Sequence, residues 1–508
     1  MVLKKKKISA RRKHVRETKS AEKIARINKL ANSNLPLAIL VLLGFIIAAS
    51  AILSVNTYNV DNAFFKTDAE FFKPYKEIVA LFGIVLLVSI AMALYVGQYQ
   101  ERIVSRPTRL IALAGLFIIL LALTKMGSLY QEWTYLSTGW AVTSAIILTI
   151  AYNQRFAIGM TLFYCVLASF AASNELPEIS LFLTMMVGAM TCCYALKEIR
   201  TRMKLIEVSI IAAVAVFITT SAIGVVQGLS TREISKSSGL GAAVTIAIGL
   251  VIQGFLPLIE KIFNIATSMT LLDYSDANQP LLKKLAMEAP GTFSHSLLIG
   301  TIAEAAADSI GANGLLCRVG AYYHDIGKMN KPSYFIENQM GSASRHDQLS
   351  PAMSQLVIVG HVKDGIEIGK EYGLPPVLRQ FIETHHGTTL IEYFYNEAKK
   401  KQDDKQSTVS ESEFRYPGPK PRTKEAAIVM LADTSESAVR SMSDLTPGRI
   451  DVIVHNMAVK RLQDGQFDDC ELTLRELSQI ESSISKSLAA HHHGRIAYPK
   501  SPDEPVEK

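Results

Sequence analysis

The chain has 508 residues, of which 49% are hydrophobic, and its formal net charge is +7. This length allows roughly two to four domains, and the mean hydropathy of +0.21 is high for a soluble protein, so membrane segments are expected. The five cysteines have neither a disulfide-framework pattern nor zinc-ligand spacing, which excludes a disulfide-stapled domain and a zinc finger.

Residues 1–34 form a strongly basic arm. Twelve Lys or Arg fall within the first thirty residues, against only Glu17 and Glu22. A signal peptide and a nucleic-acid patch are the alternatives, but the apolar run that follows is too long for a signal peptide and lacks an evident cleavage site. We therefore predict a cytoplasmic arm beside anionic lipid, where each basic residue adds about 1 kcal/mol of attraction, and no nucleic-acid polymer as a partner.

Eight apolar runs follow the arm, and they predict a membrane domain of eight helices over residues 35–263. They cover residues 35–55, 78–99, 110–124, 133–152, 156–174, 179–196, 208–227 and 237–259. A helix needs about 20 residues to cross the hydrocarbon layer, and seven runs meet this length. The run at 110–124 is short and ends before Lys125, whose side chain could reach toward the headgroups.

The distribution of basic residues predicts the orientation. The loops assigned to the inside carry eight Lys or Arg and those outside carry six, so the twelve in the arm decide that the N-terminus is cytoplasmic. Eight crossings return the chain to the cytoplasm after Glu260. No charged residue lies in the middle of a run, which argues against an ion pathway.

The remainder is predicted to be a connector at 264–290, an all-helical domain at 291–490 and a polar tail at 491–508. Leu, Ala and Ile recur at helical spacing up to about residue 396. A polar loop then leads to Tyr416-Pro417-Gly418-Pro419-Lys420-Pro421, which is either a rigid linker or a wall of a substrate site. The triplet at 491–493 is not counted among candidate ligands.

Six of the eleven histidines lie between residues 295 and 386, and with two aspartates they supply more ligands than one metal needs. Mixed nitrogen and oxygen donors suit Fe, Mn, Co or Zn, and paired metals about 3.5–4 Å apart hydrolyse phosphate esters. A single buried histidine is more often structural, but the cluster favours a metal site. The predicted metal ligands are His295, His324, Asp325, His361, His385, His386 and Asp433.

Within this set, His324, Asp325 and Lys328 are assigned to catalysis. Asp325 directly follows another ligand and has two oxygens, so it is the natural bridge between two cations. Lys328 could neutralise a phosphate oxygen, although a solvent-facing lysine is the alternative. His346 lies in a Gly/Ser-rich loop, where a substrate contact or a local turn is favoured over metal ligation.

The chain resembles bacterial seven-transmembrane receptors with an intracellular HD hydrolase domain. The resemblance rests on Ala-Pro-Gly-Thr at 289–292, Tyr-His-Asp-Ile-Gly-Lys at 323–328, His-Val-Lys-Asp-Gly at 361–365, His-His-Gly-Thr at 385–388 and Asp-Gly-Gln-Phe-Asp at 464–468. It implies an all-α phosphodiesterase in a bacterial plasma membrane that hydrolyses cyclic di-AMP to pApA by a metal-bridged hydroxide. It also implies two divalent ions, with Fe or Mn expected, and leaves a homo-oligomer possible.

One departure from the family and three alternatives qualify this reading. Relatives carry a large extracellular domain where this chain has only residues 56–77, too few for an independent core. A cyclic di-GMP phosphodiesterase is the nearest alternative, but Gly387-Thr388-Thr389-Leu390 replaces the Gly-Tyr-Pro signature of that group. A receptor that binds nucleotide without turnover would lack a ligand, and a transporter would carry charge within its spans.

Overall fold

The computed structural model describes most of the chain. It covers residues 35–56, 72–100, 103, 107–129, 133–173, 177–196, 201–263, 265–339, 344–401, 409–442 and 445–493. Over these residues the protein is all-α, as the sequence predicts, and contains no β-strand, only isolated bridges that join Val55 to Phe72 and Leu390 to Arg415. The predicted arm, the segment 57–71 and most of the predicted tail lie outside the described residues.

The chain divides into two compact units, Met1–Phe263 and Asn264–Lys508. The N-terminal unit contains eight described helices: α1 Leu35–Ser54, α2 Tyr75–Tyr99, α3 Pro107–Ser128, α4 Leu136–Ala151, α5 Gln154–Ala172, α6 Ile179–Ala195, α7 Arg202–Val226 and α8 Thr231–Phe263. One helix coincides with each predicted apolar run. Six are long and apolar enough to cross a membrane, whereas α4 and α6 have 16 and 17 residues. Eight crossings therefore stay a prediction.

The third apolar run lies within a helix that is longer than the run itself, and Lys125 is buried in it. α3 is not short, because the helix begins at Pro107 and continues through Lys125 to a length of 22 residues. The polar and charged residues at both ends of the helix interrupt the apolar run, but they do not interrupt the helix. The side chain of Lys125 is 4% exposed, and its Nζ has no hydrogen-bond partner within the part of the chain that the structure describes.

Small residues allow close packing in the N-terminal unit. α4 is one of its shortest helices, yet most of its residues are buried against α5, α6 and α8. A Cβ on Gly139 of α4 would lie 2.7 Å from Val244 of α8, and one on Gly188 of α6 would lie 2.8 Å from Val216 of α7. Such contacts are typical of membrane helices, where packing rather than exclusion of water holds the helices together.

The C-terminal unit is a separate helical bundle. Its α-helices are α9 Ser268–Ser275, α10 Pro280–Glu288, α11 Pro290–Ser309, α12 Gly314–Tyr323, α13 Pro351–Glu371, α14 Pro376–Thr384, α15 Glu392–Lys400, α16 Lys424–Arg440, α17 Pro447–Gln463 and α18 Leu474–His493. Short 3₁₀ turns connect α12 to α13, beginning with Ile326–Asn330.

Helix α16 forms the centre of this unit. Residues 426–432 are all buried, so the helix is apolar on every side, as expected for a helix enclosed by its neighbours. It packs against α11, α12, α14, α17 and α18. A second apolar cluster joins α9, α10, α12 and α14. These two clusters fix α11, α12, α14 and α16, four of the five helices that carry the predicted ligands.

Candidate metal centre

Five helices bring the seven predicted ligands into one buried region. His295 lies on α11 and His361 on α13, while His324 and Asp325 follow α12 directly. His385 and His386 follow α14, and Asp433 lies on α16. Six of the seven side chains are buried and His386 is half-buried.

Two glycines allow the backbone near Asp325 to approach α13. A Cβ on Gly327 would lie 1.9 Å from the carbonyl oxygen of His361, so no other residue fits without moving the helix. A Cβ on Gly365, one turn beyond His361, would lie 2.8 Å from Ile382 and 3.2 Å from the amide nitrogen of Gly327. Because only glycine lacks a Cβ, these two positions bring Asp325 and His361 together.

The first group of donors is His295, His324, Asp325 and Asp433. Nε2 of His295 lies 3.0 Å from Oδ1 of Asp433, and Nε2 of His324 lies 3.9 Å from the same oxygen. Nε2 of His324 is also 3.1 Å from Oδ2 of Asp325. Donor atoms of His295, His324 and Asp325 lie within 4.8 Å of one another, a spacing that one metal ion could span.

The second group is Asp325, His361, His385 and His386, whose donor atoms also lie within 4.8 Å of one another. Oδ1 of Asp325 is 3.4 Å from Nε2 of His361 and 3.5 Å from Nε2 of His385. The ring of His386 stacks on Tyr416, with centroids 4.2 Å apart. Asp325 belongs to both groups, and its two oxygens face different groups.

Burial and charge set the protonation of these side chains. Burial lowers the pKa of His361 to about 3, and burial together with His385 holds the pKa of His386 well below its usual value. Burial would also lower the pKa of His324, but the neighbouring Asp325 raises it to about 10. Burial opposes ionisation of Asp325, yet His324 and Lys328 hold its pKa well below the usual range. His361 and His386 therefore offer free lone pairs, and Asp325 is an anion.

The donor set fits divalent metal ions. Nε2 of His324 and Oδ1 of Asp325 are buried and make no hydrogen bond to any described residue, so the neighbours of both atoms in the centre are other candidate ligands. Buried polar atoms are rarely left in this state. Imidazole nitrogens with carboxylate oxygens form a site for borderline metals rather than for Mg²⁺ or Ca²⁺.

Lys328 lies at this centre, and its side chain is only 13% exposed, so it is not the solvent-facing lysine of the alternative interpretation. Its Nζ is 2.7 Å from Oδ2 of Asp325 and 2.8 Å from Oε1 of Glu337. The amine therefore lies between two carboxylates. His346 lies elsewhere, where its Nε2 donates to the carbonyl oxygen of Tyr334 and its ring packs against Phe394.

Sequence reasoning missed two acidic residues beside the ligands. Glu436 lies 3.0 Å from Nδ1 of His295, and Glu337 contacts Lys328. The first could have been found, because Glu436 is three residues after Asp433 and therefore on the same face of α16. The second reaches the centre from a 3₁₀ turn, for which the sequence has no periodic signal.

Two family models match the chain. The model for a 7TM receptor with intracellular HD hydrolase matches residues 75–267, and the HD domain model matches residues 292–438, which include all seven predicted ligands. The chain belongs to the family of 7TM receptors with an intracellular HD hydrolase. Together with its six long apolar helices, this makes it a multi-pass membrane protein.

Two relatives of this chain are named for an enzymatic activity. The chain is 34% identical over 441 residues to "Cyclic-di-AMP phosphodiesterase PgpH" of Bacillus subtilis, covering 85% of this chain and 61% of the relative. It is 36% identical over 365 residues to the protein of that name from Listeria monocytogenes, covering 72% and 50%. The chain thus spans between half and three fifths of these relatives.

Among solved structures, the chain is similar to the crystal structure of the L. monocytogenes PgpH HD domain in complex with cyclic-di-AMP. The identity is 45%, the match covers 42% of this chain and 99% of that one, and the TM-score is 0.41.

Proposed function

We propose that this chain is a metal-dependent phosphodiesterase that hydrolyses cyclic di-AMP to linear pApA. The observation that carries the proposal is the shared Asp325, whose two oxygens face two separate groups of histidines. The names of the two curated relatives support cyclic di-AMP as the substrate.

The proposed centre holds two divalent ions, Fe or Mn. His295, His324, Asp325 and Asp433 would hold one ion, and Asp325, His361, His385 and His386 the other. Such ions, when bound, polarise phosphate oxygens and activate water for attack on phosphorus. The chain itself supplies the arrangement of donors, the amine of Lys328 that fixes Asp325, and the ring of Tyr416 that packs against His386.

Lys328 therefore acts on Asp325 in this proposal. A carboxylate shared by two ions must keep both oxygens in fixed directions. The ammonium group of Lys328 contacts Oδ2, which leaves Oδ1 facing His361 and His385. Glu337 contacts the same ammonium group and so limits its movement.

We further propose that the chain resides in a bacterial plasma membrane with its N-terminus and its C-terminal unit in the cytoplasm. The twelve basic residues within the first thirty support this orientation. Cyclic di-AMP is an intracellular messenger in this reading, so the same side of the membrane would hold enzyme and substrate. Reporter fusions after Phe263 and at the N-terminus test it, and an external reporter at either position contradicts it.

The activity is tested with the full chain in lipid nanodiscs loaded with Mn²⁺ or Fe²⁺. Cyclic di-AMP, cyclic di-GMP and pApA are compared side by side, and we expect hydrolysis of cyclic di-AMP to pApA. Removing a residue that hydrogen-bonds to a metal ligand typically lowers metal affinity or activity 10–100-fold. The double variant His324→Ala/Asp325→Ala removes two ligands themselves, so its activity should fall by more than about 100-fold. His455→Ala, which removes a largely exposed histidine, is the matched control and should retain activity.

Two outcomes would contradict the proposal. Turnover in the double variant at the rate of the control would mean that the reaction occurs elsewhere. Hydrolysis of cyclic di-GMP in place of cyclic di-AMP would agree with a metal-dependent phosphodiesterase but contradict the proposed substrate.

A further inference from the structure

The Nδ1 atoms of four of the five histidines of the centre have partners of two kinds. Nδ1 of His324 faces the carbonyl oxygen of Ala321 at 2.6 Å, and Nδ1 of His361 faces that of Ile358 at 2.5 Å. Nδ1 of His385 likewise lies 3.0 Å from the carbonyl oxygen of Ile382. A carbonyl oxygen can only accept, so each Nδ1 is the donor and each Nε2 is left for the centre. In all three cases the backbone fixes the ring.

His295 has a side-chain partner instead. Its Nδ1 lies 3.0 Å from Oε2 of Glu436, while its Nε2 lies 3.0 Å from Oδ1 of Asp433. Glu436 and Asp433 are one turn apart on α16, so a single face of that helix contacts both nitrogens of the ring. Both atoms are buried, and among the described residues neither makes a hydrogen bond, so each has this ion-pair contact as its polar neighbour.

Burying the carboxylate of Glu436 costs free energy unless a neighbouring group compensates for the lost water. Glu436 is 4% exposed, and an ionised carboxylate is expensive to bury without partners. Arg440 lies 3.7 Å from its other oxygen, but the arginine side chain is 37% exposed and offers only partial compensation. The close contact with His295 is the interaction that a buried carboxylate at this position can make.

We infer that Glu436 is a positioning residue that holds His295 with Nε2 directed to the metal shared with Asp433. The inference rests on the metal centre proposed above. A carboxylate that accepts from the far nitrogen of a ligand histidine fixes the tautomer and makes the other nitrogen a stronger donor. At Nδ1 of His324, His361 and His385 the partner is a backbone carbonyl, whereas Glu436 is a side-chain partner that substitution can remove.

The test measures metal retention as well as turnover. The wild-type chain, Glu436→Ala, Glu436→Gln and the control Glu425→Ala are loaded with Mn²⁺ in nanodiscs and challenged with a chelator. Glu425 is another glutamate on α16, and it accepts from the backbone amide of Asn313. Bound metal per chain is counted over time, and hydrogen exchange of α16 verifies the fold.

We expect Glu436→Ala to lose one of its two ions 10–100-fold faster than wild type, with a similar fall in turnover. The amide oxygen of Glu436→Gln can still accept from Nδ1. The rate at which this variant loses metal should therefore lie between the rates of wild type and Glu436→Ala. Glu425→Ala should match wild type. If Glu436→Ala fails to fold, the intermediate retention in Glu436→Gln carries the test.

The failures are distinguishable. A wild-type chain that binds no metal would overturn the proposed centre and this inference with it. If the wild-type chain holds two ions and both Glu436→Ala and Glu436→Gln lose metal to the chelator no faster than wild type, only the role of Glu436 is overturned.

Discussion

At the scale of single residues, Lys328 illustrates how a buried charge is balanced. Its ammonium group contacts Asp325 and Glu337, and all three side chains are largely buried. Burial lowers the pKa of a lysine, but the two carboxylates more than reverse this effect, so the amine stays charged. The sequence predicts that this amine could neutralise a phosphate oxygen, and its acidic partner nine residues later could not be inferred from spacing.

Removing this amine should destabilise the metal-free protein. Breaking a buried ion pair from one side typically costs about 3–5 kcal/mol, since it leaves an unpaired carboxylate. We expect Lys328→Met to speed hydrogen exchange in α12 and α13 of the metal-free chain. Lys331→Ala, which removes an exposed lysine nearby, should leave exchange unchanged. Equal exchange in Lys328→Met and wild type would mean that the pair contributes no net stability.

At the scale of elements, the turn after His385 and His386 is held by residues distant in sequence. Gln466 is fully buried, accepts from the backbone amide of Thr388 and donates to its hydroxyl group. Arg415 donates to the carbonyl oxygen of Thr388 and to both oxygens of Asp464. Two loops thereby hold the backbone that carries two predicted ligands.

Loss of Gln466 should loosen this turn. Leaving buried hydrogen-bonding groups without a partner costs about 1–3 kcal/mol. We expect Gln466→Ala to raise hydrogen exchange at residues 385–390 and to weaken retention of the ion assigned to His385 and His386. Lys420→Ala removes an exposed pair with Asp468 in the same region and should have little effect. If hydrogen exchange at residues 385–390 is no faster in Gln466→Ala than in this control, Gln466 does not hold the turn.

At the scale of the whole molecule, the N-terminal unit depends on close contact between α7 and α8. A Cβ on Gly249 of α8 would lie 1.8 Å from Oγ of Ser209, which itself donates to the carbonyl oxygen of Leu205 in α7. At Gly254, further along the same helix, no atom of the described residues lies within 4 Å of such a Cβ. The two glycines lie on the same helix, but only Gly249 is in close contact with a neighbouring helix.

This difference predicts opposite effects of one substitution. Gly249→Ala should destabilise the N-terminal unit by about 1–3 kcal/mol through overpacking, whereas Gly254→Ala should be neutral or slightly stabilising. Both tryptophans of the chain, Trp133 and Trp140, lie in this unit, so thermal unfolding followed by their fluorescence reports on it alone. Equal unfolding temperatures for the two variants would show that the contact at Ser209 relaxes without cost.

Much of the fold could be predicted because its signals are local. Long apolar runs located eight helices, and helical spacing with few β-branched alternations predicted an all-α second part. The ends were less predictable: α3 extends beyond its apolar run because charged residues at a helix end do not stop the helix. The ligand residues themselves were identifiable by type and by flanking motifs.

Hydropathy, periodicity and motifs are properties of neighbouring residues, so the fold class, the family and the seven candidate ligands could be predicted without coordinates. The three-dimensional structure was needed to divide the candidate ligands into two groups around Asp325, and to place Glu436, Glu337 and Gln466 beside them. Those contacts depend on how helices pack across as many as about 140 residues of chain, as for His295 and Asp433. No local pattern specifies that geometry.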